Sequence, residues 1–139
     1  MNIFMKKLLT LVFISLLFSC KESKPEPGNG IVGKWKLTSY CKPSGTNTCT
    51  NTTVPDNKRV FVEFSGKGSF NETYQGTIPV EYAFLGCGSG SYEMESGDVR
   101  IRALCMSSTF GRLVKIKSVS AKKLILIPFD NGEYVFERE

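Results

Sequence analysis

Five cysteines and no histidine set the chemistry open to this 139-residue chain. The missing imidazole removes the commonest general base and the commonest metal ligand together. Serines are plentiful, but none has an evident base beside it, and Glu81, Glu93 and Glu95 fall at ordinary outward strand positions. The expectation is a protein that is not an enzyme and carries no cofactor or metal. Cys20 stands apart at the end of an apolar run. That leaves Cys41, Cys49, Cys87 and Cys105, four thiols with three pairings open to them. No two of these are separated by two residues, and without histidine a four-thiolate zinc site is disfavoured against disulfides.

A leader positions Cys20. Met1 to Lys7 is a short basic opening, and Leu8 to Phe18 is an apolar run broken only by Thr10 and Ser15. The run is too short for the roughly 20 residues of a spanning helix. Its end, Leu17-Phe18-Ser19-Cys20, resembles the lipobox of bacterial lipoproteins, where a small residue precedes the cysteine that receives diacylglycerol. The resemblance implies a signal peptide over 1–19 that is cleaved, palmitate-type acylation of Cys20, and a charged, Pro-rich lipidated linker over 20–30. Membrane lipid, reached through acylated Cys20, is then the first expected partner, since each buried methylene contributes about 0.8 kcal/mol and several chains anchor stably. Lys21 rather than Asp after the cysteine implies, by the same resemblance, export to the outer membrane of the cell envelope, facing the periplasm or the surface.

The rest, 31–139, suits one compact domain. Aromatics make up 12% of the chain, enough for a real core, and a formal charge of +5 that includes Lys6 and Lys7 of the leader is no nucleic-acid signature. Short runs rich in Val, Ile, Phe, Tyr and Thr alternate with Gly, Asn, Asp and Ser, which is the all-β signal. The pattern predicts strands over 31–41, 58–65, 68–75, 78–85, 90–95, 98–105, 112–119, 122–129 and 133–138. A Ser96-Gly97 turn sets Met94 opposite Val99 and Tyr92 opposite Ile101, with Glu93 opposite Arg100 outside. An Asn131-Gly132 turn pairs Phe129 with Tyr134 and Ile127 with Phe136, and a Ser120-Ala121 turn pairs Val114 with Ile127. Those two turns leave Leu124, Leu126 and Val135 outside as an apolar patch. A consecutive meander with one apolar face closes on itself or pairs with a second sheet. The expectation is an all-β, small antiparallel up-and-down barrel of eight or nine strands.

The opening Gly33-Lys34-Trp35 resembles the Gly-x-Trp first strand of lipocalins, and more closely that of small bacterial lipocalin-like lipoprotein domains. Phe61-Val62-Glu63-Phe64-Ser65-Gly66-Lys67-Gly68 resembles their second strand and turn, and Tyr134-Val135-Phe136-Glu137-Arg138 their last strand. In that family an arginine of the last strand lies across the first-strand tryptophan, so the resemblance implies that Arg138 and Trp35 close one barrel end. The chain is shorter than ordinary lipocalins and shows no C-terminal helix.

The favoured disulfides are Cys41–Cys49, closing the polar loop after the first strand, and Cys87–Cys105, nearly opposite each other across the 96–97 turn. Strict alternation puts Cys87 outside and Cys105 inside, so the second bridge requires a bulge among Gly86, Gly88 and Gly90. Function reads in two ways. The first is a binding module for a small hydrophobic ligand in a lumen lined by Phe64, Tyr82, Phe84, Tyr92 and Met94. The alternative is an envelope interaction protein or inhibitor with a filled barrel, meeting a protein partner through a long loop over 42–57. An anionic glycan is a further candidate partner, because a symmetric 106–111 loop sets Arg102 against Lys115 and Arg100 against Lys117.

Overall fold

The computed structural model describes residues 29–45, 48–130 and 132–139. Cys20, the signal segment 1–19 and all but the end of the linker 20–30 lie outside the described residues.

A 3-10 turn at Asn29–Ile31 leads into nine strands. They are β1 (Gly33–Pro43), β2 (Cys49–Thr53), β3 (Arg59–Phe64), β4 (Ser69–Gln75), β5 (Ser89–Glu95), β6 (Asp98–Ala103), β7 (Arg112–Val119), β8 (Lys123–Phe129) and β9 (Gly132–Arg138). From β3 onward each strand pairs antiparallel with the next, and β9 returns to β1, which also pairs with β3. Eight strands thus close an antiparallel barrel, and closure removes the sheet edge. β2 is the extra strand, laid against the far half of β1 from Ser39 to Pro43. The loop expected over 42–57 therefore contains a strand, and its first part is a ribbon with β1.

Alternation places Trp35 and Leu37 of β1, Val62 and Phe64 of β3, and Val99 and Ile101 of β6 inside, each at most 1% exposed. The hairpin at Ser96-Gly97 has the expected register, with Met94 paired to Val99 and Tyr92 to Ile101. Three other expectations are corrected. The segment 78–85 is no strand: it turns at Pro79, where the Ile78 carbonyl accepts from the amides of Glu81 and Tyr82. The β7–β8 turn falls on Ala121-Lys122, closed by the Ser120 amide donating to the Lys123 carbonyl at 2.8 Å, with a bulge between Ile116 and Ser118. In the β8–β9 hairpin Phe129 pairs with Gly132 rather than with Tyr134, and a second bulge brings Leu126 opposite Tyr134 and Leu124 opposite Phe136. Pro128 has no amide to give the ladder at that bulge. A one-residue slip exchanges faces, so Leu124 and Leu126 are fully buried in the core and Ile125 and Ile127 are half-buried outside. Of the expected outer patch only Val135 remains outside.

One barrel end gathers the tight turns at 65–68, 96–97 and 120–122 with the described chain ends, and the other gathers the longer segments 54–58, 76–88 and 104–111.

Candidate functional site

The tight-turn end is sealed. Arg138 pairs with Trp35 in the ladder, and its guanidinium carbon lies 4.0 Å from the center of the indole ring. The guanidinium donates to the carbonyls of Ala121 (2.7 Å), Val32 (2.9 Å) and Gly30 (3.2 Å), and the indole N–H donates to Ile31 at 2.8 Å. Gly33, at φ +135°, makes this possible: a Cβ there would come within 2.4 Å of the Arg138 guanidinium. Gly33, Trp35 and Arg138 are one structural unit, and the exposed cation over the ring contributes about 0.5–1 kcal/mol.

The residues expected to line a lumen divide between the two ends. Tyr92 points toward the sealed end, where its hydroxyl donates to the Ser65 carbonyl at 2.6 Å and its ring meets Phe64 edge-on with centers 5.0 Å apart. Met94 is half-buried against the core one step nearer the 96–97 turn. Phe84 enters from the other end, packing at 5.4 Å against both Tyr134 and Phe136 of β9. Tyr82 is half-buried on the same entering segment. The rings of Phe64, Phe70, Phe84 and Phe136 meet inside the barrel as tilted and edge-to-face pairs, the packing aromatic quadrupoles favour.

Segment 76–88 is a plug, and a buried acid holds it. Glu72 is 3% exposed on the inner face of β4. Its carboxylate accepts the amides of Phe84 (2.7 Å), Leu85 (3.0 Å) and Gly86 (3.0 Å) and the Tyr74 hydroxyl (2.7 Å). Four donors compensate the desolvation of the carboxylate. Within 78–85 the amides of Phe84 and Leu85 are thereby lost to any ladder and those of Glu81 and Tyr82 go to the Ile78 carbonyl, so the segment does not become a strand. Beyond Asn71, β4 and β5 diverge, and the plug fills the opening. Sequence reasoning passed over Glu72, although Phe70-x-Glu72-x-Tyr74 on an alternating strand places the acid between two inward aromatics. Burial raises the pKa of the Tyr74, Tyr134 and Tyr40 hydroxyls around it, that of Tyr134 to about 12.

Cys87 and Cys105 form the second disulfide, joining the end of the plug to the 104–111 loop. Both cysteines lie off the ladder, beyond the ends of β5 and β6, so the face conflict does not arise and no bulge is needed. Cys41–Cys49 staples the β1–β2 ribbon, as expected. Around the bridged mouth, apolar side chains face water: Ile78 and Val80 on the plug, Leu104 (97% exposed) and Phe110 (77%) on the 104–111 loop, and Phe129 at the end of β8. Two clefts flank that loop. One, of about 380 Å³, is lined by Leu85, the Cys87–Cys105 bridge, Met106, Arg112 and Phe129. The other, of about 490 Å³, lies between Gly90, Ser91, Leu104 and Thr109, and shares Met106, Ser107 and Ser108 with the first.

The expected basic face is corrected. Arg100 pairs in the ladder with Leu113, not Lys117. Its guanidinium binds Glu95 through two hydrogen bonds at 2.5 and 2.7 Å, Arg102 binds Glu93 at 2.6 Å, and Lys117 binds Glu133. The two arginine pairs run diagonally across the β5–β6 hairpin, where Glu93 sits directly opposite Arg100, and the lysine pair joins β7 to β9.

No family model and no curated protein is similar to this chain. Two solved structures are. A lipocalin-like protein from Bacteroides uniformis superposes with a TM-score of 0.54 at 18% identity, over 79% of this chain and 99% of that one. An uncharacterized protein from Bacteroides eggerthii does so with a TM-score of 0.54 at 21% identity, over 78% and 99%. The likeness is one of fold, and the barrel is lipocalin-like.

Proposed function

We propose that this chain is an envelope lipoprotein, tethered through acylated Cys20, whose lipocalin-like barrel is a binding module for a small apolar ligand taken at the mouth. The observation that carries the binding reading is the asymmetry of the barrel. One end is sealed by Trp35 and Arg138, while the other exposes Val80, Leu104 and Phe110 beside two clefts of ordinary ligand size. Apolar side chains gathered in this way mark an interaction site more often than chance exposure does. The tether reading fits the same geometry. Gly30, the last linker residue, is held at the sealed end by Arg138, so an anchor at Cys20 would present the mouth away from the bilayer. A linker of about ten residues reaches roughly 35 Å when extended.

Two measurements test the proposal separately. Native mass spectrometry of the purified, oxidised protein should find a retained apolar ligand, or uptake of an added one at one per chain. A bare protein that takes up nothing overturns the binding role. Cys20→Ser should move the protein from the membrane to the soluble fraction, and unchanged partition overturns the tether. A second reading, recognition of a protein partner, is favoured by the ribbon stapled at Cys41–Cys49, whose β2 residues are mostly exposed Thr and Asn. Affinity capture from envelope extract that depends on residues 44–53, with no ligand retained, would favour it.

A further inference from the structure

The mouth clefts carry a polar feature that the apolar reading does not use. Arg112, the first residue of β7, lines the smaller cleft with Leu85, Met106 and Phe129. Its guanidinium carbon lies 4.6 Å from the center of the Phe129 ring, and one of its nitrogens donates to the Pro128 carbonyl at 3.2 Å. Arg100 and Arg102 nearby are each taken up by a glutamate, but among the described residues no carboxylate lies within ion-pair distance of Arg112. The guanidinium is therefore oriented by a stacking ring and a carbonyl, while its remaining N–H groups stay available. A planar fork held this way matches a carboxylate in two-point geometry.

The surroundings hold this arrangement in place. Gly111 precedes Arg112 at φ +68°, and a Cβ there would come within 2.2 Å of the Ile101 carbonyl, so the loop enters β7 pressed against β6. The Gly111 amide donates to Ser108 at 3.1 Å and the Met106 amide to Ala103 at 3.0 Å, and the Cys87–Cys105 bridge fixes the opposite wall. Little ordering is left for a ligand to impose.

We propose that this cleft takes a free alkyl carboxylate, its head group on Arg112 and its chain over Leu85, Met106 and Phe129. This rests on the reading that the mouth binds apolar ligands, and adds the chemistry of the ligand's polar end. A single unpaired cation suits a monoanion better than a doubly charged phosphate. A cleft of about 380 Å³ is at the small end of ligand pockets, suited to one chain rather than two.

The two methionines among the described residues, Met94 and Met106, tell the mouth from the lumen. Met106 lines both mouth clefts, whereas Met94, like Met106 packed against the core, sits on β5 beside the 96–97 turn at the sealed end. Dependence on Arg112, which lines the smaller cleft alone, assigns the ligand between the two clefts. The oxidised protein, labelled at its methionine methyls, is titrated with laurate, dodecyl phosphate and dodecanol. Laurate should shift Met106 and leave Met94 in place, and dodecanol should bind about tenfold more weakly. Arg112→Ala should abolish that difference, Arg112→Lys should retain part of it, and both variants should melt like the parent. Equal affinity for laurate and dodecanol, or a preference that survives Arg112→Ala, overturns the head-group assignment while apolar binding stands. Tighter binding of dodecyl phosphate than of laurate overturns the carboxylate. A shift at Met94 rather than Met106 moves the ligand into the lumen and removes this cleft. Failure of all three probes to bind removes the mouth reading with it.

Discussion

A carboxylate 3% exposed inside a barrel is stable only while every lone pair has a donor, and Glu72 makes that condition testable. Glu72→Gln keeps the shape but turns an amide N–H₂ toward amides that themselves donate, those of Phe84, Leu85 and Gly86. Hydrogen bonds to a charged group are worth about 1.5–3 kcal/mol each, so a loss of about 3 kcal/mol is expected in urea unfolding. An unchanged midpoint would mean that the plug is held by its disulfide and Phe84 alone. Gly33 offers a second single-residue test through a double-mutant cycle. Gly33→Ala should destabilise by about 1–3 kcal/mol because the new Cβ meets the Arg138 guanidinium and the backbone is held at positive φ. The steric part of that cost should vanish when Arg138 is already Ala, and strict additivity would dissolve the unit. Trp35 and Arg138 can be named from the sequence because the Gly33-Lys34-Trp35 opening and the last-strand segment ending in Arg138 resemble a known pattern. Glu72 was equally legible through its aromatic neighbours, but the segment that satisfies it lies twelve to fourteen residues away and carries no motif of its own.

Among the elements, the plug is the one that strand patterning cannot describe. Tyr82-Ala83-Phe84-Leu85 has strand composition, but the amides of Phe84 and Leu85 go to one side chain and that of Tyr82 to the Ile78 carbonyl, so tertiary demand overrides propensity. Phe84→Ala should leave the plug backbone tied to Glu72 while removing a ring that touches Phe70, Tyr134 and Phe136. The expected loss is about 3–5 kcal/mol, and binding of small aromatic compounds in the resulting cavity would distinguish an open hole from a collapsed one. Replacing Cys87 and Cys105 by Ser should cost about 3 kcal/mol for a loop of 18 residues and should raise amide exchange in 76–88 more than in β3. The registers of β7 to β9 show the other limit of sequence reading. Leu124-Ile125-Leu126-Ile127 is apolar on both faces, so alternation carries no information there, and the register rested on turn residues alone. The β7–β8 turn falls one residue later than its residue types suggest, Phe129 pairs with Gly132 rather than Tyr134, and two bulges absorb the difference, so Leu124 and Leu126 rather than Ile125 and Ile127 take the inner face. Where polar residues alternate cleanly, as in Tyr92-Glu93-Met94 against Val99-Arg100-Ile101, the register read from the sequence is the one observed.

At the scale of the whole barrel, four strands each carry a tyrosine whose hydroxyl is held protonated beyond its ordinary value of 10.0, with burial the largest cause in every case. They are Tyr40 on β1, Tyr74 on β4, Tyr92 on β5 and Tyr134 on β9, with Tyr134 pushed up to about 12. A group whose pKa is raised on folding supplies stability in full below the unfolded value and loses it as pH climbs toward the folded one. Stability should therefore be flat from neutral pH to the ordinary tyrosine value, then fall steeply as the unfolded chain ionises while the barrel cannot. Because the four hydroxyls lie on strands spread around a closed sheet, the loss should appear as one cooperative transition rather than local fraying. Urea midpoints measured from roughly pH 8 to roughly pH 11, read beside tyrosinate absorbance, test this directly. Tyrosinate from these four should appear together with unfolding, and Tyr134→Phe should make the alkaline limb shallower. Free ionisation of these four tyrosines in a barrel that stays folded would mean that water reaches the interior, and the sealed, plugged architecture would not survive that result.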